Sequence, residues 1–364
     1  MSSVLKAQTV SQNFDKLFNY LKDKDDFNGN VLFADKGKIV YQKSFGYANF
    51  TTKALLNENS MFVLASLSKQ FTSMAILILS ERGKLSLNDM VNQYFVGFPY
   101  TNVTIRNLLS HTSGIPDYRD LIEDHWDKSK IAYNKDVISL LVKYRPAAHF
   151  NAGDHFEYSN INYVLLTSII EKVSGLSYAE FLKKNIFEPL GMTRTRVYNT
   201  RRADKEVIPN YAYGYIITKD GPALPDSLKV FKYVIYRDGI VGAGGVNSTT
   251  VDLLKWDRAL YTEKLVKAST LNKAFTPFKF KNGNEDGYGF GWALRLTDKS
   301  TGKCVYHLGS WVGYNTFISR FIDNDKTIIV LRNTTNHNKV DGIYEAYINI
   351  LFAKPFELPK VESR

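Results

Sequence analysis

Apolar positions along the chain change period several times, and each change marks an element. In SQNFDKLFNYLKD, Phe14, Leu17, Phe18 and Leu21 recur at helical spacing, so a helix is predicted there with Ser11 or Asn13 as its cap. NVLFADKGKIVYQKSFGYAN then reads as two strands around the turn Asp35-Lys36-Gly37-Lys38. A second helix is expected from about Ser66, carrying Phe71, Met74, Ala75, Leu77, Ile78 and Leu79 and stopping at Gly83. From about 85 to 190 the spacing is mostly helical, as in DVISLLVKY and NYVLLTSIIEKVSG, with polar turns such as HTSGIPDY between. Beyond 230, YGFGWALRLT, CVYHLGS, YNTFISRFID and KTIIVLRNT read as strands, and YEAYINILFAK closes as a helix.

Strands, helices, strands, helix is the order of an α+β protein: an antiparallel sheet flanked by helices, built from both ends of the chain, with a mainly helical region inserted. The expected division is an α/β domain from 1–80 and 231–364, a helical domain from 81–230, and an active site at their interface. The length of 364 residues, 44% hydrophobic and 14% aromatic, suits one large domain or two intertwined ones.

Charge and composition narrow the function more than they define it. The net charge of +11 comes from Lys and Arg scattered among Asp and Glu, without the basic run of a nucleic-acid binder. No stretch approaches the roughly 18 apolar residues of a membrane span. Cys304 is the only cysteine, which excludes a disulfide framework and multi-cysteine metal sites. The six histidines, 111, 125, 149, 155, 307 and 337, contain no ligand run of metalloprotease type, so neither metal nor other cofactor is expected. The opening MSSVLKAQTVSQNF has no charged region followed by an apolar one. The expectation is a periplasmic or otherwise extracytoplasmic protein whose signal peptide is absent from this chain, with a cytoplasmic one as the alternative.

Candidate chemistry begins with LASLSKQFT. Residues three apart share a helix face, so Ser66 and Lys69 can meet, and a buried amine beside the positive end of a helix loses its proton readily enough to serve as a base. A serine three before a lysine is also common by chance. In FEYSNINYVLL, Tyr158 can shuttle a proton and Asn160 can hold a substrate carbonyl, or Ser159 and Asn160 simply cap a helix. In VYHLGSWVGYN, Gly309 lets a backbone approach the strand edge, and the N–H of Ser310 can pair with that of Ser66 around an oxyanion. An ordinary strand and turn would read the same way.

Taken together and in this order, Ser66-Leu67-Ser68-Lys69, Tyr158-Ser159-Asn160 and His307-Leu308-Gly309 resemble the three signature elements of the serine penicillin-recognising hydrolases. These comprise class C β-lactamases, D-alanyl-D-alanine carboxypeptidases, D-aminopeptidases and related esterases. SERGKLSLNDMV, TIRNLLSHTSGIPDY, FEPLGMTRT, GAGGVNSTTVDLLKW and GYGFGW extend the likeness over nearly the whole chain. The resemblance implies a β-lactamase/DD-peptidase-like fold, with Ser66 as acylated nucleophile, Lys69 as its activating partner and Tyr158 as proton shuttle. It implies that Asn160, His307 and Gly309 bind substrate, that the N–H groups of Ser66 and Ser310 form the oxyanion hole, and that His111 belongs to a structural turn. Many such β-lactamases carry Lys-Thr-Gly where this chain has His307-Leu308-Gly309, and a part-time cation anchors a substrate carboxylate less well. The expected function is hydrolysis of a D-amino-acid peptide, amide or ester, on a small molecule or a cell-wall peptide. A true β-lactamase is the alternative, and a catalytically silent cell-wall peptide or penicillin binder is the rival from another class.

Overall fold

The computed structural model describes residues 3–25, 27–198, 208–335 and 338–362; His337 and part of the 200–240 loop region lie outside them. Helix α1 (Ser3–Asp25) starts upstream of the expected Ser11 or Asn13 cap. Val10, one turn before Phe14, is buried and continues the apolar stripe, so the helix has reason to run on. Strands β1 (Gly29–Asp35) and β2 (Lys38–Phe45) form the hairpin. Lys36 and Gly37, at φ of 51° and 72°, make the primed turn that matches strand twist.

The main sheet adds β3 (Ala293–Arg295), β4 (Cys304–Trp311), β5 (Tyr314–Phe321) and β6 (Lys326–Arg332), in the spatial order β3-β4-β5-β6-β1-β2, antiparallel throughout. Strand β1 therefore pairs with β6 from the far end of the chain, with Val31 opposite Val330. The Asn28 Nδ2 donates to Asn333 Oδ1 at 2.6 Å beside that join. Helices cover both faces, which explains why β1 reads as a continuous apolar run rather than an alternating one. Val31 and Phe33 face α1 and the helix Ile343–Leu351, with the Phe14 and Phe33 rings 3.9 Å apart. Leu32 and Ala34 face the opposite core.

That opposite core holds two helices apolar on nearly every side, α2 (Ser68–Glu81) and, further along the chain, Ile161–Ser174. Helices of that composition are stable only when surrounded, and here they pack against each other beneath the mouth of a cleft. Gly83, at φ 67°, ends α2 as the sequence predicts. Tyr215–Thr218, with no strand expected there, pairs in parallel with Thr334–Thr335.

Candidate active site

Ser66 sits in a 3-10 turn, Ala65–Leu67, that precedes α2 instead of belonging to it. Ala65 has φ 50°, a left-handed conformation that costs a non-glycine residue about 1 kcal/mol or more. The sharp bend aims Ser66 into a cleft of about 620 Å³. Thr316 Oγ1 donates to the Leu64 carbonyl at 2.7 Å and holds the bend against β5.

One turn later Lys69 is fully buried. Its Nζ lies 3.1 Å from Ser66 Oγ, 2.9 Å from Asn160 Oδ1 and 3.0 Å from the Ala243 carbonyl. It also stands 4.8 Å from the centre of the Tyr158 ring. Burial pushes this amine down to about 7; Asp117 pulls it back up and Arg119 adds to the fall. The Ala243 carbonyl is presented by the glycine turn before Val246. A Cβ on Gly242, at φ 100°, would come within 1.8 Å of Thr167 Oγ1, so only glycine lets that turn approach.

Tyr158 lines the same cleft as Ser66, and desolvation of its hydroxyl end raises the phenol well above the usual tyrosine value, with neighbouring Ser66 pulling the other way. The neutral phenol is thus the form at hand near pH 7, so of Ser66's two titratable neighbours the lysine is the readier base. Neither Ser159 nor Asn160 caps the following helix with its side chain, as the simpler reading had it. Ser159 Oγ donates to the Ile115 carbonyl at 3.0 Å, and Asn160 is occupied with Lys69 and Asp117.

On β4, alternate residues part company. Leu308 and Ser310 are exposed along the cleft, where Ser310 shares the lining with Ser66. Gly309 does not line it: a Cβ there would meet Thr316 Oγ1 at 2.1 Å and the Leu64 carbonyl at 2.4 Å, so its space is taken by the chain leading into Ser66 rather than by a substrate backbone. Gly309→Ala is expected to destabilise the fold by about 1–3 kcal/mol and to slow any reaction at Ser66, read by thermal unfolding and by the rate of covalent labelling.

His307 also departs from expectation. Its Nδ1 lies 2.7 Å from the Leu308 carbonyl, which only accepts, and its Nε2 lies 2.9 Å from Tyr288 Oη. Nδ1 therefore carries the proton and Nε2 receives one from the tyrosine. Burial, with Lys69 nearby, pushes the imidazole down to about 3, so the part-time cation expected from a free histidine is a neutral group here. His111 is fully buried at φ 57°, its Nδ1 accepting from the Ser159 N–H at 3.2 Å, and it stays neutral for the same reason.

Sequence reasoning missed Asp117 and Arg119. Both Asp117 oxygens are in use: Oδ1 caps the helix Tyr118–His125, and Oδ2 accepts from the N–H and the Nδ2 of Asn160, each at 2.9 Å. The aspartate at the head of DYRDLIED is a legible N-cap signal, but its hold on Asn160 is a contact between distant segments. Among the described residues no cluster of three or more metal-ligating side chains occurs, and no helix is long and apolar enough to cross a membrane.

A six-stranded antiparallel sheet covered by helices on both faces, with a serine and a buried lysine at the edge of β4, defines the β-lactamase/DD-peptidase fold class. Comparison with known proteins goes one step further: the Beta-lactamase family model matches residues 14–351, and the chain belongs to that family. It is 45% identical over 356 residues to penicillin-binding protein 4* of Bacillus subtilis (strain 168), across 97% of this chain and 78% of that protein. A penicillin-binding protein from Bacillus halodurans superposes with a TM-score of 0.77 at 27% identity, covering 93% of this chain and 98% of that one. A D-amino acid amidase from Ochrobactrum anthropi shares the fold at a TM-score of 0.74 and 22% identity, covering 96% and 97% of the two chains.

Proposed function

We propose that the protein is a serine hydrolase that forms an acyl-enzyme on Ser66 and cleaves amide or ester bonds of D-amino-acid compounds. The observation that carries this reading is the Lys69 amine, buried, drawn down to about 7 and 3.1 Å from Ser66 Oγ. Neutral Lys69 takes the Ser66 proton as Oγ bonds to the substrate carbonyl carbon. The N–H groups of Ser66 and Ser310 receive the oxyanion, a role supported by their common cleft. As the carbon–leaving-group bond breaks, the proton passes through the Tyr158 hydroxyl to the departing amine or alcohol, and water then releases the acyl group.

The neutral His307 is a poor anchor for a substrate carboxylate, which favours amides, esters and peptides without a free carboxylate at that point over efficient β-lactam turnover. The relative from Bacillus subtilis is named for binding penicillin, and binding needs acylation only. Cell-wall peptides are D-amino-acid compounds, so an extracytoplasmic site of action suits this reading.

Incubation with a fluorophosphonate or a fluorescent penicillin, followed by intact mass, tests it. A single adduct is expected, absent in Ser66→Ala; no adduct on the native protein would leave a silent binding protein. Turnover of p-nitrophenyl esters and D-amino-acid amides, which lack that carboxylate, is expected to exceed that of nitrocefin and of D-Ala-D-Ala peptides, and nitrocefin turned over fastest would make it a β-lactamase. The pH dependence has a defined sign. The reactive form of Lys69 is unprotonated, so kcat/KM should rise through about pH 7 and level off above it. A limb at pH 4–5 would point to a carboxylate base instead.

A further inference from the structure

Lys69 Nζ has three oxygens around it, and they are not equivalent. Ala243 and Asn160 offer carbonyl oxygens, which only accept, whereas Ser66 offers a hydroxyl that can also donate. A neutral amine has two hydrogens and one lone pair. If its hydrogens go to the two carbonyls, the lone pair is left facing the serine O–H. That assignment holds only while the Asn160 amide keeps its oxygen toward the lysine; a flipped amide would present NH2 to it and turn the lone pair away.

Asp117 prevents the flip. Its Oδ2 accepts from Asn160 Nδ2 and from the Asn160 backbone N–H at 2.9 Å each, so amide and backbone are pinned at one point. Its Oδ1 is held in turn by the Arg119 N–H and by Arg119 Nε, both at 3.1 Å. We propose that Asp117 and Arg119 are a positioning pair that acts through Asn160 to hold the Lys69 lone pair on Ser66 and to set the charge balance around the amine. The proposal rests on Ser66 and Lys69 being nucleophile and base.

Among the described residues, this pair supplies the charges that act on Lys69. Tyr158 and Tyr163 present rings, with Tyr163 centred 5.5 Å from Nζ. His111 and His307 are both neutral through burial. Asp117 favours the ammonium and Arg119 opposes it, so removing one charge or the other should move the lysine in opposite directions. A residue that merely supported the fold would not give opposite signs.

The experiment is the pH dependence of fluorophosphonate labelling, followed by intact mass, on the full chain and on Asp117→Asn and Arg119→Gln. Asparagine keeps the shape and one acceptor oxygen for the helix cap, but loses the charge and the second acceptor that holds Asn160. Its acid limb is expected about one pH unit lower than that of the native protein, with a plateau reduced severalfold because a weaker base remains. The limb of Arg119→Gln, whose side chain is mostly exposed, is expected about half a unit higher. Both limbs coinciding with the native one, or moving the same way, would overturn the proposal. Native protein that takes no label, or label that survives Ser66→Ala, would instead defeat the reading of Ser66 on which it rests. Should Asp117→Asn fail to fold, the exposed Arg119 carries the test by itself, and an unmoved limb there is decisive against the pair.

Discussion

Lys69→Met is expected to slow acylation of Ser66 by about 10²–10⁴-fold while making the protein more stable at low pH. The first effect follows from losing the proposed base, since methionine fills the same space without a lone pair able to take the serine proton. The second follows from where the amine sits. Burial holds it at about 7 against an ordinary 10.5, so below pH 7 the fold carries a buried ammonium at a cost of about 5 kcal/mol. The sign comes from proton counting: the unfolded chain binds the extra proton, so this cost shrinks as pH rises from 7 toward 10.5. Methionine removes the cost but orphans the Ala243 carbonyl and Asn160 Oδ1, each worth about 1 kcal/mol. The net gain should be about 3 kcal/mol at pH 6 and close to zero at pH 9. Denaturant unfolding at the two pH values checks it. Equal stability of the two proteins at pH 6 would mean that burial does not penalise the Lys69 ammonium.

Asp257→Ala should be the most damaging single change to stability, by about 3–5 kcal/mol. Asp257 is fully buried on the helix Thr250–Ala259 and serves two arginines. Arg320 Nε, from the middle of the sheet, donates to its Oδ1 at 2.5 Å, and Arg258 Nη2 donates to its Oδ2 at 2.7 Å. Arg258 has a second partner in Asp325, but Arg320 is 1% exposed and, among the described residues, is ion-paired with no carboxylate but that of Asp257. Its guanidinium lies 4.6 Å from the Tyr261 ring, a contact too weak to replace the ion pair. Alanine would therefore strand a guanidinium beneath the sheet. Pairing the change with Arg320→Met removes the stranded charge and is expected to recover most of the loss, which a chemical melt of the single and double variants would measure. No recovery would mean that Asp257 acts chiefly through its helix or through Arg258.

The contrast between these residues explains what was legible before the structure. Phe14, Leu17 and Phe18 announce themselves through period and the stretch from Val31 to Ala34 through an unbroken apolar run, because one helix face or one strand decides their burial. Ser66 and Lys69 are one turn apart, so their meeting is a local matter that spacing can report. Asp117 meets Asn160 across 43 positions, and Asp257 meets Arg320 across 63; such pairs leave no periodic trace. The left-handed Ala65 carries no glycine to mark it, since strain accepted by an alanine is invisible in letters. Gly309 was visible but ambiguous, as a glycine tells that something comes close without telling what. The neutrality of His307 depends on Tyr288 and on burial, neither of which a lone histidine in a strand reveals.

The pairing of β1 with β6 has a consequence for how the molecule comes into being. A ribosome releases β1 and β2 early, yet the neighbour that zips onto β1 emerges some three hundred residues later, with Leu32 meeting Ile329. Until then the nascent hairpin must wait with an open, sticky edge, and loops that long close slowly. Any chain cut short before Lys326 should accordingly strand its early strands and be prone to clump, however intact the segment around Ser66.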